Sequence, residues 1–390
     1  MIDKVEVEDC SICKACYNIC PKEAIVFSKK HNTFYYPTID VKKCIHCNLC
    51  EKTCPSLHQF EETTLKKCYA LQNKNDDIRK KSTSGGVFFE LANYTLNQKG
   101  YVCGCIMDEN HYVHHIISNK VEDIYRMMGS KYVQSDIKYV YKKIKELLES
   151  KKQVLFTGCP CQVAGLKNFL NKNYDNLICM DIICHGITSQ NYLDSYISFV
   201  EKKYSAKIEK INFRDKKYGH HCSSLKIIFN NHKQINEPIT INAYMKSFLD
   251  GFMLKDACYK CKYKKFKSLS DITVGDFWGF EVFGDDDNKG TSAVIINTKK
   301  GENIIKQCQF NLLKVNYDDI YKYNESLEHS ANPNRNNDDF KKNYGKYGFE
   351  GVYYKYLKEK NRELIRRILY QIINKIYLKI YKQKKYIYYK

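Results

Sequence analysis

CSICKACYNICP (residues 10–21) and CIHCNLCEKTCP (residues 44–55) carry the same cysteine pattern near the start of the chain. Each segment reads Cys-x2-Cys-x2-Cys-x3-Cys-Pro, the spacing of bacterial modules that bind two [4Fe–4S] clusters. In such modules three thiolates of one run hold one cluster, and the fourth cysteine ligates the other cluster. The pattern therefore predicts two ligand sets, which are Cys10, Cys13, Cys16 and Cys54, and Cys44, Cys47, Cys50 and Cys20.

Zinc knuckles and disulfides are the alternatives that so many cysteines raise. Structural zinc sites use paired Cys-x2-Cys or Cys/His ligands, not triplets followed by a fourth cysteine before proline. Pro21 and Pro55 close the two runs, because proline has no N–H and turns the chain away from the cluster. We interpret residues 1–60 as a two-[4Fe–4S] ferredoxin-type domain, which implies that the protein moves electrons.

Composition and charge narrow the class of protein. The 390 residues include 19 cysteines, and the N-terminal segment is charged without the apolar stretch of a signal peptide. No segment is apolar over the length of a membrane span, so a cytoplasmic protein with reduced thiols is expected. The net charge of +20 is not accompanied by a helix-turn-helix, zinc-finger or RNP pattern, which argues against nucleic acid as a partner. Attraction to an acidic electron carrier fits this charge better.

Residues 61–330 alternate short apolar, β-rich runs with helical ones. Strands are predicted at residues 154–157, 177–183, 208–213, 225–229, 272–274 and 293–297, and helices at residues 162–170 and from Ser189 to Tyr204. This alternation indicates an α/β or α+β core, although it does not determine the strand order. Ser84, Gly85 and Gly86 form a turn that leads into another helix, whose free N–H groups could cradle a phosphate or simply be capped.

The composition changes near residue 330. Residues 332–339 predict a linker, and residues 355–382 predict a basic helix with leucine and isoleucine along one stripe. The stripe is expected to dock on the core or a partner, with peripheral contact to an anionic membrane as the alternative. Residues 331–390 are therefore interpreted as a linker and a basic amphipathic helical tail.

A second group of cysteines lies where strands of the core are predicted to end. Cys159 and Cys161 follow one predicted strand, and Cys184 follows another. Cys258 and Cys261 lie in a lysine-rich loop. Because ligands bind beyond the ends of strands in open α/β sheets, these segments are expected to meet at one site. Four thiolates there would bind a third [4Fe–4S] cluster, but zinc or ordinary buried cysteines are also compatible with the pattern.

Motifs that occur together in one known family run through most of residues 80–300. They are STSGGV (82–87), GSKYVQS (129–135), FTGCPCQVAGL (156–166), DIICHG (181–186), FRDK (213–216), CYKC (258–261) and SDITVGDFWG (270–279). In sequence and order they resemble the beta subunits of coenzyme F420-reducing hydrogenase and F420-dependent formate dehydrogenase. 7-Hydroxymethyl chlorophyll a reductase is a relative of this family. The resemblance implies a core that binds FAD and a [4Fe–4S] cluster of its own.

The resemblance also implies roles for individual residues. The ligands of the core cluster would be Cys161, Cys184, Cys258 and Cys261, without Cys159, where relatives often carry threonine. The FAD would lie against Ser84, Gly85, Gly86, Ser130, Lys131, Tyr132, Gly158, Pro160, Gln162 and Asp276. Lys131 is the candidate to stabilise the charge of a reduced flavin. The candidates to grip an acidic substrate or supply a proton are His185, Arg214, Lys216, His220 and His221, and each could equally be a solvated or salt-bridged residue.

These inferences predict a ferredoxin-linked iron–sulfur flavoprotein oxidoreductase. Electrons would pass from ferredoxin through the [4Fe–4S] clusters to FAD and on to an organic acceptor, or in the reverse direction. The fused two-cluster module resembles bacterial stand-alone members of the family, and nothing in the chain demands F420 itself. The alternative is a non-catalytic electron-transfer subunit that works docked to a larger hydrogenase or dehydrogenase. Ferredoxin, an organic substrate and a second copy of the chain are the expected partners.

Overall fold

The computed structural model describes residues 2–31, 33–58, 65–264 and 269–358. In chain order, the strands are β1 (Ile25–His31), β2 (Phe34–Ile39), β3 (Lys67–Asn73), β4 (Tyr101–Met107), β5 (Val113–Ser118), β6 (Val154–Gly158), β7 (Leu177–Ile182), β8 (Ile208–Asp215), β9 (Ser224–Phe229), β10 (Gln234–Pro238), β11 (Ile272–Asp276), β12 (Ser292–Ile296) and β13 (Phe310–Val315). The α-helices are α1 (Ala15–Ile19), α2 (Leu49–Lys52), α3 (Asp76–Lys81), α4 (Val87–Asn97), α5 (Val121–Met127), α6 (Val140–Glu149), α7 (Pro160–Leu170), α8 (Gln190–Tyr204), α9 (Ala243–Leu249), α10 (Asp256–Tyr259), α11 (Lys299–Gln307), α12 (Tyr317–Tyr321) and α13 (Asn337–Val352).

The N-terminal module repeats its backbone as well as its sequence. β1 and β2 pair as an antiparallel hairpin between the two cysteine runs. In the first run Ile12 and Lys14 have positive φ angles, and in the second run His46 and Asn48, at the equivalent positions, have them too. Both loops therefore turn in the same way between their first three cysteines.

One eight-stranded mixed sheet forms the centre of the core, in the order β13-β3-β12-β11-β7-β6-β4-β5. The neighbouring strands β11, β7, β6 and β4 are parallel, whereas the outer pairs are antiparallel. Because the four strands run in the same direction, their carboxyl ends lie on the same side of the sheet. That side carries the residues that follow Met107, Gly158, Ile182 and Asp276.

Helices cover both faces of this sheet. On one face, Val154 and Phe156 of β6 pack with α6 and α7. On the other face, Leu155 packs with α4 and α11. Since successive residues of a strand point to opposite faces, β6 is buried on both sides, which explains its unbroken apolar sequence.

The mixed α/β fold with an N-terminal cluster module is confirmed, and so are most predicted elements. β6, β7, β8, β9, β11 and β12 lie within one or two residues of the predicted strands. Ser189 caps α8 as predicted, because its Oγ accepts a hydrogen bond from the Tyr192 N–H at 3.1 Å. β3, β4, β5, β10 and β13 had no prediction, because glycine, histidine or other polar residues interrupt their apolar patterns.

The C-terminal part of the described chain differs from its prediction. α13 begins at Asn337, inside the segment predicted to be a linker. Phe340 and Phe349 are both buried, and Phe349 packs on Tyr196 of α8 with ring centroids 5.1 Å apart, so this segment belongs to the core. The predicted basic helix at residues 355–382 lies outside the described residues except for residues 355–358.

The N-terminal module is docked on the core through α1. The Asn18 side chain donates to the Lys138 carbonyl at 2.9 Å, and Lys14 forms an ion pair with Asp136. Helix α1 also lies against α6 and α7. The first cysteine run is therefore held directly against the helices that cover one face of the large sheet.

Candidate functional site

The eight cysteines of the N-terminal module form two groups that differ in exposure. Four buried cysteines make up what we call the inner set: Cys10, Cys13, Cys16 and Cys54. Four less buried cysteines line a small cavity together and make up the outer set: Cys20, Cys44, Cys47 and Cys50. Burial, then the neighbouring thiols of Cys13, Cys10 and Cys54, raise the pKa of Cys16. The structure thus places the last cysteine of each run with the other run, as the exchange of fourth ligands requires.

The inner set lies against α7, the helix that carries Cys161. Gly165 allows this approach, because a Cβ atom there would lie 2.9 Å from both Cβ and Sγ of Cys13. The Tyr141 hydroxyl donates to the Gln162 carbonyl at 2.8 Å. Burial raises the pKa of Tyr141, and the thiols of Cys13 and Cys161 raise it further. Cys13 and Cys161 are therefore neighbours across Tyr141.

A cavity of about 730 Å³ opens at the carboxyl ends of β6, β7 and β11. Residues 127–135, 157–162, 180–187 and 322–327 contribute more than half of its lining residues. All predicted flavin contacts except Gly85 lie on this wall, together with His185 and the predicted core ligands. The location agrees with the expectation that ligands bind beyond the ends of parallel strands.

Besides Cys105 of β4, five cysteines line this cavity, one more than a single cluster needs: Cys159, Cys161, Cys184, Cys258 and Cys261. We call the predicted ligands, without Cys159, the core set. The Sγ atoms of Cys159 and Cys184 lie 3.9 Å apart. The Cys159 thiol lowers the pKa of Cys184, against the effect of burial, to about 6. Burial raises the pKa of Cys161, and the thiols of Cys184, Cys261 and Cys258 add to this.

The spacing of these thiols bears on the zinc alternative. In a tetrahedral site with Zn–S bonds of about 2.3 Å, the ligand sulfur atoms lie about 3.8 Å apart. Within the described ranges, three ligand atoms lie within 4.8 Å of one another only at His221, Glu281 and Asp286. No three cysteine sulfurs in those ranges are as close to one another as the ligands of a tetrahedral zinc site.

Two buried lysines flank the core set. Lys255 is 1% exposed, and its Nζ donates to the Ser11 carbonyl and, at 3.0 Å, to Oε1 of Gln134. The Nζ of Lys264 donates to the Cys184 carbonyl. Burial acts to lower the pKa of Lys255, but the neighbouring thiols raise it, and the result is above the usual range. Lys255 is therefore a buried cation among thiols.

The predicted glycine turn leads into α4 as expected. Gly86 precedes the helix with a φ of 87°, a left-handed conformation that glycine adopts readily, and the first residues of α4 reach the cavity wall. The Ser84 hydroxyl donates to the Thr291 carbonyl at 2.8 Å. Gly85 does not belong to the wall. A Cβ atom there would lie 2.3 Å from the Leu71 carbonyl oxygen, so Gly85 permits close packing on the sheet.

Lys131 lies on the cavity wall, but its ammonium group contacts the backbone. The Nζ atom lies 2.9–3.0 Å from four carbonyl oxygens, those of Cys105, Arg126, Met127 and Met128. Burial lowers the pKa of Lys131 to about 8. These contacts hold the turn after α5 against β4. A direct contact with a flavin would require Lys131 to leave them.

A charged and aromatic cluster forms another part of the wall. Arg214 pairs with Asp276 at 3.1 Å and donates to the Tyr132 hydroxyl at 3.1 Å. Its guanidinium group lies 5.3 Å from the ring centroid of Trp278, which also stacks on His220. Burial would raise the pKa of Asp276, but Arg214 lowers it, so the carboxylate stays ionised. The Nε atom of Arg214 is buried and has no hydrogen-bond partner among the described residues.

His185 follows Cys184 at the end of β7. Its Nδ1 atom lies 3.4 Å from the Ser326 hydroxyl, and its ring lies 5.2 Å from that of Phe248. The Nε2 atom is buried and, in the described part of the chain, without a hydrogen-bond partner. Burial lowers the pKa of His185, so the ring is neutral near pH 7. A neutral imidazole on a cavity wall can accept or donate a proton.

Sequence patterns did not single out Lys255, Lys264 or Trp278 for a role in the site, and the family resemblance left Cys159 out of the ligand set. Cys159 is outside the predicted ligand set because relatives carry threonine there, although its two-residue distance from Cys161 is a signal of a shared site. Lys255 and Lys264 lie near Cys258 and Cys261 in a lysine-rich segment, where no pattern separates a buried lysine from a solvated one. Trp278 is the chain's single tryptophan and lies in one of the matched motifs, which could have indicated a role in the site.

Comparisons with known proteins found two family models that match parts of this chain. Residues 151–316 match the family model for the C terminus of the coenzyme F420 hydrogenase/dehydrogenase beta subunit, and residues 9–57 match that for the 4Fe-4S dicluster domain. An uncharacterized ferredoxin of Methanocaldococcus jannaschii is 38% identical over 52 residues, which are 13% of this chain and 66% of the ferredoxin. A chain of the F420-reducing [NiFe] hydrogenase complex from Methanosarcina barkeri is 17% identical, with a TM-score of 0.44 over 76% of this chain and 92% of that chain.

Among the described residues, no helix combines the length and the apolar composition needed to cross a bilayer. The dicluster match covers both cysteine runs, and the other match covers β6 to β13 together with the core set. The motif resemblance is therefore confirmed. The chain therefore carries a 4Fe-4S dicluster match followed by a match to the C terminus of the coenzyme F420 hydrogenase/dehydrogenase beta subunit, and it is an iron–sulfur electron-transfer protein related to that subunit.

Proposed function

We propose that this protein is a ferredoxin-linked iron–sulfur flavoprotein oxidoreductase that exchanges electrons with an organic substrate. The observation that carries the proposal is the order of the cysteine sets. The outer set reaches solvent at Cys47, the inner set is buried against α7, and the core set lies in the cavity. This is the order that single electrons need in order to pass between a docked carrier and a buried site.

The donor set supports a third [4Fe–4S] cluster in the core. Cys161, Cys184, Cys258 and Cys261 offer four thiolates, which is the ligand number of a cube. Lys255 and Lys264 place positive charge beside them, which offsets the negative charge of a thiolate-bound cluster. The spread of the sulfur atoms also favours a cube over zinc.

The cavity supports FAD as the second cofactor. The N-terminus of the 11-residue helix α4 opens onto it, where free N–H groups favour a phosphate. Arg214 adds a buried cation whose Nε lacks a partner among the described residues, and Trp278 adds an aromatic surface. Such a mixture of an aromatic wall and a few convergent polar groups is typical of cofactor sites.

When bound, FAD would supply the change from single electrons to an electron pair. The residues of the chain would hold and orient it. Arg214 and the α4 N–H groups would bind its phosphates. The Nε2 of His185, which has no hydrogen-bond partner among the described residues, would hold or take up a proton at the cavity wall. The core set is half-buried, which would limit the access of water to a cluster and tune its potential.

Iron and flavin analysis tests the proposal. Protein purified without oxygen and reconstituted should hold about twelve iron atoms per chain, four in each of three clusters, and should release FAD on denaturation. About eight iron atoms would remove the core cluster, and FMN or no flavin would overturn the cofactor assignment. Trp278 provides a second measurement, because FAD added to flavin-free protein should quench its fluorescence. Trp278→Phe is the matched control that should show no such signal.

A second function is favoured by the family description, which names a subunit. In that case the protein would relay electrons to a partner and have no substrate of its own. The two functions differ in a simple assay. The proposed oxidoreductase reoxidises dithionite-reduced ferredoxin when an organic acceptor alone is added, whereas a relay does so only after a partner protein is supplied.

A further inference from the structure

Lys255 lies between two cysteine sets, and the function proposed above uses only its charge beside the core set. Its Nζ donates to the carbonyl of Ser11, which lies between Cys10 and Cys13 of the inner set. The same ammonium donates to Oε1 of Gln134, on the wall of the core cavity. One side chain thus connects the first cluster-binding loop to the cavity.

The backbone of Lys255 is also engaged. Its N–H donates to the Ile187 carbonyl at 3.0 Å, and its own carbonyl accepts from the Cys258 N–H at 2.8 Å. Lys255 precedes α10, which carries Cys258. The residue therefore joins three segments that bring ligands together: the first cysteine run, the chain that follows Cys184, and α10.

The charge of Lys255 needs a counter-charge. A buried ammonium without an anion is costly, and within the described residues its acceptors are a carbonyl and an amide oxygen, with no carboxylate among them. The thiols of Cys258, Cys161, Cys10 and Cys159 surround it and belong to the core and inner sets or adjoin them. Cluster thiolates of both sets are therefore the anions that this cation faces.

We propose that Lys255 is a positioning residue that holds the inner loop against α10 and supplies a positive charge shared by the inner and core clusters. Reduction adds one electron, and hence one negative charge, to a cluster. A nearby fixed cation stabilises the reduced form more than the oxidised form. Lys255 therefore makes both clusters easier to reduce and keeps their potentials matched, so that an electron leaving one can enter the other. This inference rests on the proposed function, because it takes the core set to hold a cluster.

Lys264 provides a contrast. It is also buried, but it donates to the carbonyls of Cys184 and Ser326, and its charge acts on Cys184 and Cys261 of the core set. Lys264→Met is expected to change the core cluster alone. Lys255→Met is expected to change the core and inner clusters together.

The test is a redox titration followed by EPR on the full chain with its clusters. Lys255→Met should make reduction of the inner and core clusters at least tenfold less favourable, a shift of about 59 mV to more negative potential for a one-electron couple. Lys255→Arg, which keeps the charge, should restore both midpoints to near the wild-type values. Lys300→Met is the matched control, because Lys300 is a partly buried lysine bound to the Tyr174 and Leu177 carbonyls. The midpoint potentials of the Lys300→Met variant should equal those of the wild type.

Each outcome decides a separate point. About eight iron atoms in the wild-type protein would refute the core cluster and the proposed function with it. About twelve iron atoms, with unchanged midpoints in Lys255→Met or no recovery in Lys255→Arg, would overturn the role of Lys255 alone. If Lys255→Met binds less iron, Lys255→Gln, which keeps a donor without the charge, takes its place. Unshifted midpoints in that variant would overturn the inference equally.

Discussion

Cys159 and Cys161 begin α7 and present two thiols to one cavity, although the core cluster needs only one of them. Cys159 contacts Cys184 at 3.9 Å and lowers the pKa of that thiol. A thiol that hydrogen-bonds a ligand sulfur can support the thiolate without binding iron. The structure therefore gives Cys159 a supporting place next to the predicted ligands.

Serine substitution separates the two cysteines. Cys161→Ser should lose about four iron atoms and the core-cluster signal, because a cube would lack one thiolate, while the EPR signals of the N-terminal clusters persist. Cys159→Ser should keep about twelve iron atoms. Loss of iron from Cys159→Ser but not from Cys161→Ser would exchange the roles of the two residues.

Arg214 illustrates the cost of a buried charge. Removing one member of a buried ion pair leaves the other uncompensated, which typically costs about 3–5 kcal/mol. Arg214→Gln should therefore lower the thermal unfolding midpoint strongly, because Asp276 loses its partner. It should also weaken FAD-dependent quenching of Trp278, because Arg214 is proposed to bind the phosphates of FAD. Arg126→Gln is the control, since Arg126 is 44% exposed and its pair with Asp123 should contribute at most about 1 kcal/mol. Equal effects of the two variants would contradict this account.

At the scale of the element, α7 performs two tasks. Its first turn carries Cys161, and one turn later Gly165 receives the inner set. Because glycine has no side chain, Cys13 can pack directly against the helix. The distance between the inner and core sets therefore depends on Gly165. A helix with any larger residue at this position would hold the ferredoxin-type module farther away.

Alanine substitutions test this element. Gly165→Ala should destabilise the protein by about 1–3 kcal/mol, since the new Cβ overpacks against Cys13 and Tyr141. Gly345→Ala lies in α13 with no atom within 4 Å of the added Cβ, and should stabilise by up to about 1 kcal/mol through helix propensity. Thermal unfolding of the two variants should therefore shift in opposite directions. A stabilising Gly165→Ala would exclude the close contact.

At the scale of the whole molecule, buried histidines link stability to pH. The Nδ1 atom of His115 lies 2.6 Å from the Ser135 hydroxyl, and its Nε2 lies 2.9 Å from the Thr157 carbonyl. Burial lowers the pKa of His115 to about 4, compared with about 6.5 in an unfolded chain. Between these values the unfolded chain binds more protons, so stability falls as the pH drops from about 6.5 to 4.

The contribution of His115 should be roughly 3 kcal/mol over that range. His115→Gln cannot titrate, so its unfolding midpoint should fall less steeply than that of the wild type between about pH 6.5 and 4.5. Clusters and other groups titrate in both proteins, and the difference between the two isolates His115. Parallel pH profiles would show that the buried ring does not resist protonation.

Most of the local structure followed from the sequence, and so did the meeting of the cysteine-bearing segments at one site, but the strand order did not. Two kinds of local signal made this possible. A strand that is buried on both faces needs consecutive apolar residues, as at residues 154–157, and the free N–H groups at the start of a helix favour a capping side chain such as that of Ser189. The strand order has no such local signal, since it depends on which strands meet across long loops. Gly85 shows the same limit, because its close packing on the Leu71 backbone joins segments that are distant along the chain.

By itself, the sequence determined the two cluster-binding runs, because ligand spacing is a property of contiguous residues and requires no knowledge of the fold. It also determined the family, through motifs spread over most of the core. Only the tertiary structure decided that Cys159 contacts Cys184, that Gly165 allows the inner set to pack against α7, and that Lys255 is buried between two sets of thiols. Burial and proximity arise only when segments that are distant in sequence pack together. The sequence shows that Lys255 carries a positive charge, but it does not show which groups surround that charge.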